Sequence, residues 1–156
     1  GTIADTISVC FSKGLGAPIG SMALSTSERI SSARVWRKRY GAGMRQVGIL
    51  AAAADYAITH HMSDLTHDHR RAKALATAIA QVDSSLIDPT SVVTNIVGLN
   101  LKALGITAAE LAQRAKDAGL LIGALGPHFA RLVTHRDFDD AQCDQAIEIL
   151  RKALVA

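Results

Sequence analysis

The sequence predicts an α/β fold in which short strands alternate with helices. In several short segments apolar and polar residues alternate, as in half-buried strands, and between them apolar residues recur every three or four positions, as in amphipathic helices. Hydrophobic residues make up 49% of the 156 residues and charged residues 20%, which excludes an intrinsically disordered chain. At this length folding buries roughly 70% of the unfolded surface, so a core forms without metals or disulfides.

The first half of the chain reads as two strands followed by long helices. A strand over residues 6–11 runs into a segment with three glycines and a proline, and a second strand follows at 21–25. Ser25 and Glu28 match a capping box and predict a helix over 26–40. Residues 44–60 are apolar around most of a helix circumference, which predicts a buried helix.

The second half predicts a small α+β unit with the order β-α-β-β-α, after an amphipathic helix over 63–82. Thr107 and Glu110 form a second capping box, and Asp137 or Asp139 caps the last helix. The predicted elements are a strand at 92–101, a helix at 107–118, strands at 120–125 and 129–134, and a C-terminal helix.

Charge and cysteine content exclude some classes of partner. The formal net charge is +3 and the basic residues are scattered, so we expect no nucleic-acid partner. The longest apolar run, residues 47–54, is too short to cross a bilayer, so we expect no membrane partner. Cys10 and Cys143 form no CxxC pair, which favours a reduced, cytoplasmic protein. Because Gly1 directly precedes a strand-like segment, we expect an internal start within a longer protein.

The segment after the first strand carries the most informative pattern, a lysine followed by glycines at positions 14, 16 and 20. Burial favours the neutral form of a lysine amine, and the neutral amine forms a Schiff base with an aldehyde. The glycines leave room for a bulky planar adduct. Lys13 is therefore a candidate catalytic residue, and the alternative is an exposed turn lysine. The order of lysine and glycines does not match the phosphate-binding P-loop.

Two arginines are candidate anion-binding residues. Arg45 lies at the predicted start of a long helix, where backbone N–H groups attract anions, and the alternative is a surface salt bridge. Arg131 interrupts an apolar strand, so it either binds a carboxylate in a cleft or faces solvent. Four histidines, at 60, 61, 67 and 69, lack the spacing of a metal site, so we predict a surface role and no bound metal.

Taken together, five segments resemble the low-specificity L-threonine aldolases, also known as L-allo-threonine aldolases. They agree with the family in order and spacing over the whole chain. The matching segments are residues 8–21, residues 36–53, Asp68-His69, Thr94-Asn95 and residues 131–135.

This resemblance implies the C-terminal part of a pyridoxal 5'-phosphate (PLP)-dependent transferase fold of type I, the aspartate-aminotransferase kind. Family members are about twice as long as this chain, so we expect a missing N-terminal half. Residues 1–60 would be the end of the large PLP-binding domain, 61–82 a connecting helix and 83–156 the small C-terminal α+β domain.

The resemblance also implies an activity and residue roles. The activity is a lyase reaction, retro-aldol cleavage of L-threonine or L-allo-threonine to glycine and an aldehyde. Lys13 would be the Schiff-base lysine, Arg45 would lie near the cofactor phosphate, and Arg131 would bind the α-carboxylate of the small amino-acid substrate. Lys38 would lie at the mouth of the site. The base for the first proton transfer would come from the missing half.

The expected partners are the N-terminal half of the same protein or a companion chain, together with further copies in a homotetramer built as a dimer of dimers. Two alternatives remain open at this point. The chain is an inactive, truncated remnant that serves as an oligomerising module, or it belongs to an enzyme for another PLP reaction, β-elimination or racemisation.

Overall fold

The computed structural model describes residues 2–155 and confirms the α/β class. The chain divides into two compact units, Gly1–Ser63 and Asp64–Ala156, which are treated separately below.

The first unit combines a two-stranded antiparallel sheet with two helices. Its elements are β1 (Ile7–Cys10), β2 (Ser21–Leu24), α1 (Ser27–Arg39) and α2 (Gly48–His61). β1 pairs with β2 in a register that places Ile7 opposite Leu24 and Cys10 opposite Ser21. The buried apolar residues described in this unit are Phe11, Leu15, Ala17, Ala54 and Ala57. This core is small, because a two-stranded sheet covers little surface.

The N-terminus of α1 corrects one detail of the sequence analysis. The predicted capping box between Ser25 and Glu28 is wrong. The Ser25 hydroxyl donates to the Asp5 carbonyl at 2.6 Å. Thr26 is the N-cap instead, and its hydroxyl oxygen accepts from the Arg29 N–H at 3.4 Å. The helix consequently begins at Ser27.

α2 begins at Gly48, four residues later than predicted, and it is not buried all round. Ala54 and Ala57 are its buried residues, whereas Ile49 is 76% exposed. None of the described residues 27–39 of α1 is buried either. An apolar composition shows that a helix needs cover, but this unit has too little other surface to supply it. No helix within residues 2–155 is long and apolar enough to cross a membrane.

The second unit is a two-layer α/β arrangement. Its elements are α3 (Leu65–Val82), β3 (Ile96–Asn100), α4 (Ala108–Asp117), β4 (Gly123–Gly126), β5 (Phe129–Val133) and α5 (Asp140–Val155). The strands form an antiparallel sheet in the order β3-β5-β4. α3 packs against α5 and β3, and α4 packs against β4, β5 and α5. α3 therefore belongs to the second unit in this chain, while the predicted three-part division stays a prediction about the longer protein.

One face of this sheet forms the core, and the other face is open. Along β5, Ala130 and Leu132 are buried while Phe129, Arg131 and Val133 are exposed. Burial thus alternates along β5, as the geometry of a strand requires, although the sequence of β5 is apolar except for Arg131. The helices contribute mainly Ala and Leu to the same core, in agreement with the low aromatic content. The largest fully buried apolar side chains are Leu75, Ile79, Leu86, Val97, Leu99, Leu101, Leu111 and Leu150.

Side-chain caps begin two helices of the second unit. The predicted capping box of α4 is confirmed, since Thr107 and Glu110 each accept a hydrogen bond from the backbone N–H of the other. The Thr107 N–H and hydroxyl both donate to the Glu110 carboxylate and lower its pKa. At α5 the cap is Asp139, whose Oδ1 accepts from the Gln142 N–H at 2.8 Å. Both caps satisfy N–H groups that have no partner within the helix.

Ion pairs from Arg70 and Arg71 join α3 to α5. The Asp140 carboxylate accepts from the Arg70 guanidinium at 2.8 Å and from Arg71 Nε at 2.7 Å. Both hydrogen bonds lower the pKa of Asp140, and the bond from Arg70 has the larger effect. Because both Asp140 and Arg70 are more than half exposed, we assign most of the stability of the α3–α5 contact to the apolar core beneath.

We expect Leu99→Ala in β3 to lower the free energy of unfolding by about 2–5 kcal/mol, because it leaves a cavity where Leu99 is fully buried. Leu121→Ala is the matched control, since Leu121 is 80% exposed, and it should change stability by less than about 0.5 kcal/mol. Urea titrations followed by far-ultraviolet circular dichroism measure both. Equal losses for the two variants would contradict the assignment of the core.

Candidate functional site

The lysine turn, residues 12–20, is held by backbone hydrogen bonds and buried apolar side chains. The Gly16 N–H donates to the Lys13 carbonyl at 2.8 Å, and the Phe11 N–H donates to the Gly20 carbonyl at 2.9 Å. Gly16 has φ +71°, a left-handed conformation that glycine adopts without the steric cost of a side chain. Phe11, Leu15 and Ala17 point inward and are buried.

Lys13 itself is exposed, contrary to the partial burial expected from its place after an apolar strand. The buried anchors at 11, 15 and 17 direct the intervening Lys13 outward. The strand before it is also largely exposed, because β1 belongs to a sheet of two strands. Within residues 2–155, the Lys13 side chain makes no hydrogen bond or ion pair, so its amine is available to a ligand.

Arg45 and Lys38 lie on either side of the connection between α1 and α2. Lys38 is in the last turn of α1, and Arg45 comes three residues before the first residue of α2. Within the described residues 2–155, no side chain caps the N-terminus of α2. Gln46, next to Arg45, has φ +53°. The arginine thus precedes a helix N-terminus whose N–H groups attract anions.

Arg131 is exposed at the centre of the open face of the sheet. It lies opposite Gly98 on β3 and opposite Gly123 on β4, so neither directly paired residue carries a side chain. The Phe129 ring lies over Gly98, since its Cζ is 2.9 Å from the position of an added Cβ. In the part of the chain that the structure describes, the Arg131 side chain has no hydrogen bond or ion pair. Its guanidinium is therefore accessible to a carboxylate.

Three of the short motifs meet beside the end of β5. The buried Thr134 hydroxyl donates to the Asp68 carbonyl at 2.7 Å. Asn95 Nδ2 donates to the Thr134 carbonyl at 2.8 Å, and the Thr134 N–H donates to the Asn95 carbonyl at 3.0 Å. The Asp68 side chain is 1% exposed, and its Oδ1 lies 3.5 Å from Arg71 Nη1. These contacts fix β5, and hence the Arg131 backbone, relative to α3.

The sequence analysis missed His61, to which it gave only a surface role. Its Nδ1 lies 2.7 Å from the Leu15 carbonyl oxygen in the lysine turn. No sequence signal marks it, because the two residues are far apart along the chain. His60, His67 and His69 are exposed. Among residues 2–155, no cluster of three or more His, Cys, Asp or Glu side chains could hold a metal ion.

The structure thus places Lys13, Lys38 and Arg45 in the first unit and Arg131 in the second. All four side chains are exposed. The roles assigned to them by resemblance stay predictions.

The profile of a known family, the beta-eliminating lyases, matches residues 1–102. This chain belongs to the beta-eliminating lyase family. The matched family agrees with the lyase family that the resemblance implies.

Known relatives of this beta-eliminating lyase chain confirm the resemblance to threonine aldolases. Low-specificity L-threonine aldolase 1 of Arabidopsis thaliana is 32% identical over 97% of this chain and 43% of its own length. Low specificity L-threonine aldolase of Escherichia coli K12 is 36% identical over 88% of this chain and 39% of its own length. The chain spans about two fifths of the length of these relatives.

Solved structures confirm the fold. One of them is a protein from Listeria monocytogenes described as an L-allo-threonine aldolase, with TM-score 0.71 and 18% identity. The alignment covers 97% of this chain and 45% of the Listeria chain. Serine palmitoyltransferase from S. paucimobilis, with bound PLP and myriocin, aligns over 96% of this chain and 39% of its own, with TM-score 0.70 and 18% identity.

We expect Gly16→Ala to destabilise the first unit of this lyase-family chain by about 1–2 kcal/mol, because an L side chain is strained at the positive φ of Gly16. Gly14→Ala is the control in the same turn, since Gly14 does not have a positive φ. Urea unfolding followed by fluorescence reports on this unit, because the single tryptophan, Trp36, lies in it. A larger loss for Gly14→Ala would show that the turn has a different conformation.

Proposed function

We propose that this chain is the C-terminal part of a PLP-dependent aldehyde-lyase that cleaves L-threonine and L-allo-threonine to glycine and acetaldehyde. The observation that carries the proposal is the lysine turn. It presents an exposed, unpaired amine at the end of a strand, in a chain that belongs to the beta-eliminating lyase family. The choice of reaction is supported by relatives named as threonine aldolases, one of which aligns with 97% of this chain.

The residues present fit an aldehyde cofactor that carries a phosphate. The Lys13 amine has no competing partner among the described residues, and the surrounding glycines leave its approach open. Arg45 lies before an uncapped helix N-terminus, and both features favour a phosphate. When bound, PLP supplies an electron sink for the electron pair released as a bond at the substrate Cα breaks.

Four residues of the chain then have specific roles. Lys13 holds the cofactor covalently through its Nζ, and Arg45 binds the phosphate. Arg131 binds the substrate α-carboxylate with two parallel N–H groups, which fixes the orientation of the amino acid. Lys38, at the mouth of the site, adds positive charge that attracts anionic ligands. The base that removes the β-hydroxyl proton belongs to a part of the protein outside this chain.

The exposed apolar side chains of the first unit support a larger assembly. Large hydrophobic residues on and around α1 and α2 are extensively exposed, including Trp36 at 49%, Tyr40 at 81% and Ile49 at 76%. We propose that an N-terminal half and further copies in a homotetramer cover them, since surfaces of this kind mark interfaces. Both cysteines are free, which supports a cytoplasmic location.

An assay of the complete protein with threonine, allo-threonine, serine and phenylserine tests the reaction type. Aldehyde release from threonine or allo-threonine supports aldol cleavage. Release of ammonia with a keto acid instead would indicate β-elimination, and inversion at Cα alone, seen as D-serine formed from L-serine, would indicate racemisation. Absence of every reaction with bound PLP would favour the oligomerising remnant.

We expect borohydride reduction of the complete protein with PLP to attach the cofactor to Lys13, because this lysine follows β1 and precedes glycines that leave room for a planar adduct. Peptide mapping by mass spectrometry locates the label. Lys13→Ala should abolish the labelling, while the control Lys102→Ala, an exposed lysine in the second unit, should leave it unchanged. A label on any other lysine would show that Lys13 is not the cofactor lysine.

We expect Arg131→Lys to reduce kcat/KM by roughly one to three orders of magnitude, or about 1.4–4 kcal/mol of transition-state stabilisation. Lysine keeps the charge but cannot reproduce a two-point contact with a carboxylate. PLP affinity should stay nearly constant, because the phosphate is bound elsewhere. Arg151→Lys, an exposed arginine on α5, is the matched control and should leave kcat/KM unchanged. Cofactor release or unfolding in Arg131→Lys would make Arg131 a structural residue.

A further inference from the structure

A side-chain hydrogen bond reaches the lysine turn from the last turn of α2. His61 Nδ1 lies 2.7 Å from the Leu15 carbonyl oxygen, and the bond is partly buried. A carbonyl oxygen can only accept, so Nδ1 carries the proton and donates. The proposed function assigns no role to this histidine.

The Leu15 carbonyl shares a peptide unit with the N–H that closes the turn at Lys13. The Gly16 N–H of the same peptide donates to the Lys13 carbonyl at 2.8 Å. Because a peptide unit is planar, fixing the direction of its oxygen also fixes the direction of its N–H. Two hydrogen bonds therefore connect His61 to the Lys13 backbone through one rigid group.

The imidazole ring is itself held in place. It packs edge-on against Tyr56, with ring centroids 5.5 Å apart and an interplanar angle of 84°. The His60 ring also contacts Tyr56, at 4.2 Å. His60 is exposed, however, and within the described residues it makes no hydrogen bond to the lysine turn. The neighbouring histidines thus share the aromatic contact and differ in the hydrogen bond.

We propose that His61 is the positioning residue of the lysine turn: its Nδ1–H fixes the Leu15–Gly16 peptide and thereby the backbone from which the Lys13 amine is presented. Without this bond the peptide can rotate, because Gly16 is compatible with positive and negative φ. The presentation of the Lys13 amine to a cofactor rests on the proposed function. The ordering of the turn does not.

Amide hydrogen exchange of the turn tests the hydrogen bond without any cofactor. His61→Ala should raise exchange of the amides in residues 12–20 about three- to tenfold, the effect of losing one neutral hydrogen bond. His61→Asn should exchange like wild type, because its amide N–H can replace Nδ1–H. His60→Ala keeps the hydrogen bond and should also match wild type. Wild-type exchange in His61→Ala, or equal impairment in His61→Asn or His60→Ala, overturns the proposal.

The second measurement is the rate at which borohydride traps PLP on Lys13 in the complete protein. His61→Ala should slow trapping about three- to tenfold, with recovery in His61→Asn. If wild type is trapped on Lys13 and His61→Ala is trapped equally fast, His61 is not a positioning residue. If wild type is not trapped on Lys13, the proposed function fails, and amide exchange still decides whether His61 orders the turn.

Nitrogen chemical shifts of the wild-type protein keep the proposal testable should His61→Ala fail to fold. Protonated Nδ1 in His61 supports the hydrogen bond to Leu15. A ring protonated only at Nε2 cannot donate from Nδ1 and overturns the proposal.

Discussion

The sheet of the second unit has one face buried under helices and the other open, and the position of Arg131 depends on this division. Strand side chains alternate between faces, so burial of Ala130 and Leu132 requires Arg131 to face away from the core. A charged guanidinium could not replace either buried residue without a large desolvation cost. The core thus determines which face of β5 presents the arginine.

The surroundings of Arg131 make the open face suited to a ligand. Glycines opposite it on β3 and β4 leave the directly paired positions without side chains, and the Phe129 ring lies over Gly98. The buried hydrogen bond from Thr134 to Asp68 holds the end of the same strand against α3. A rigid strand with an uncovered arginine satisfies what a carboxylate-binding site requires, a fixed direction and open space.

In the first unit the backbone around Lys13 is also fixed, although this unit has a much smaller core. Backbone hydrogen bonds, the left-handed Gly16 and the buried anchors of the turn define its backbone, and His61 adds a bond from α2. α1 contributes no buried residue among those described. The local geometry of the lysine turn is therefore well determined in a unit whose helices retain large exposed apolar surfaces.

The sequence by itself determined the α/β class, the order of the elements and the capping box at Thr107, because each follows from patterns among residues near in the chain. It also revealed the family resemblance from the order of short motifs, whereas the role of Lys13 stays a prediction. Tertiary structure decided the exposure of Lys13 and α2, the cap at Thr26 in place of Ser25, and the contact of His61 with Leu15. The reason is that burial and long-range hydrogen bonds depend on which distant segments meet. Periodicity shows that a helix such as α2 needs an apolar partner, but it does not specify where along the chain that partner lies.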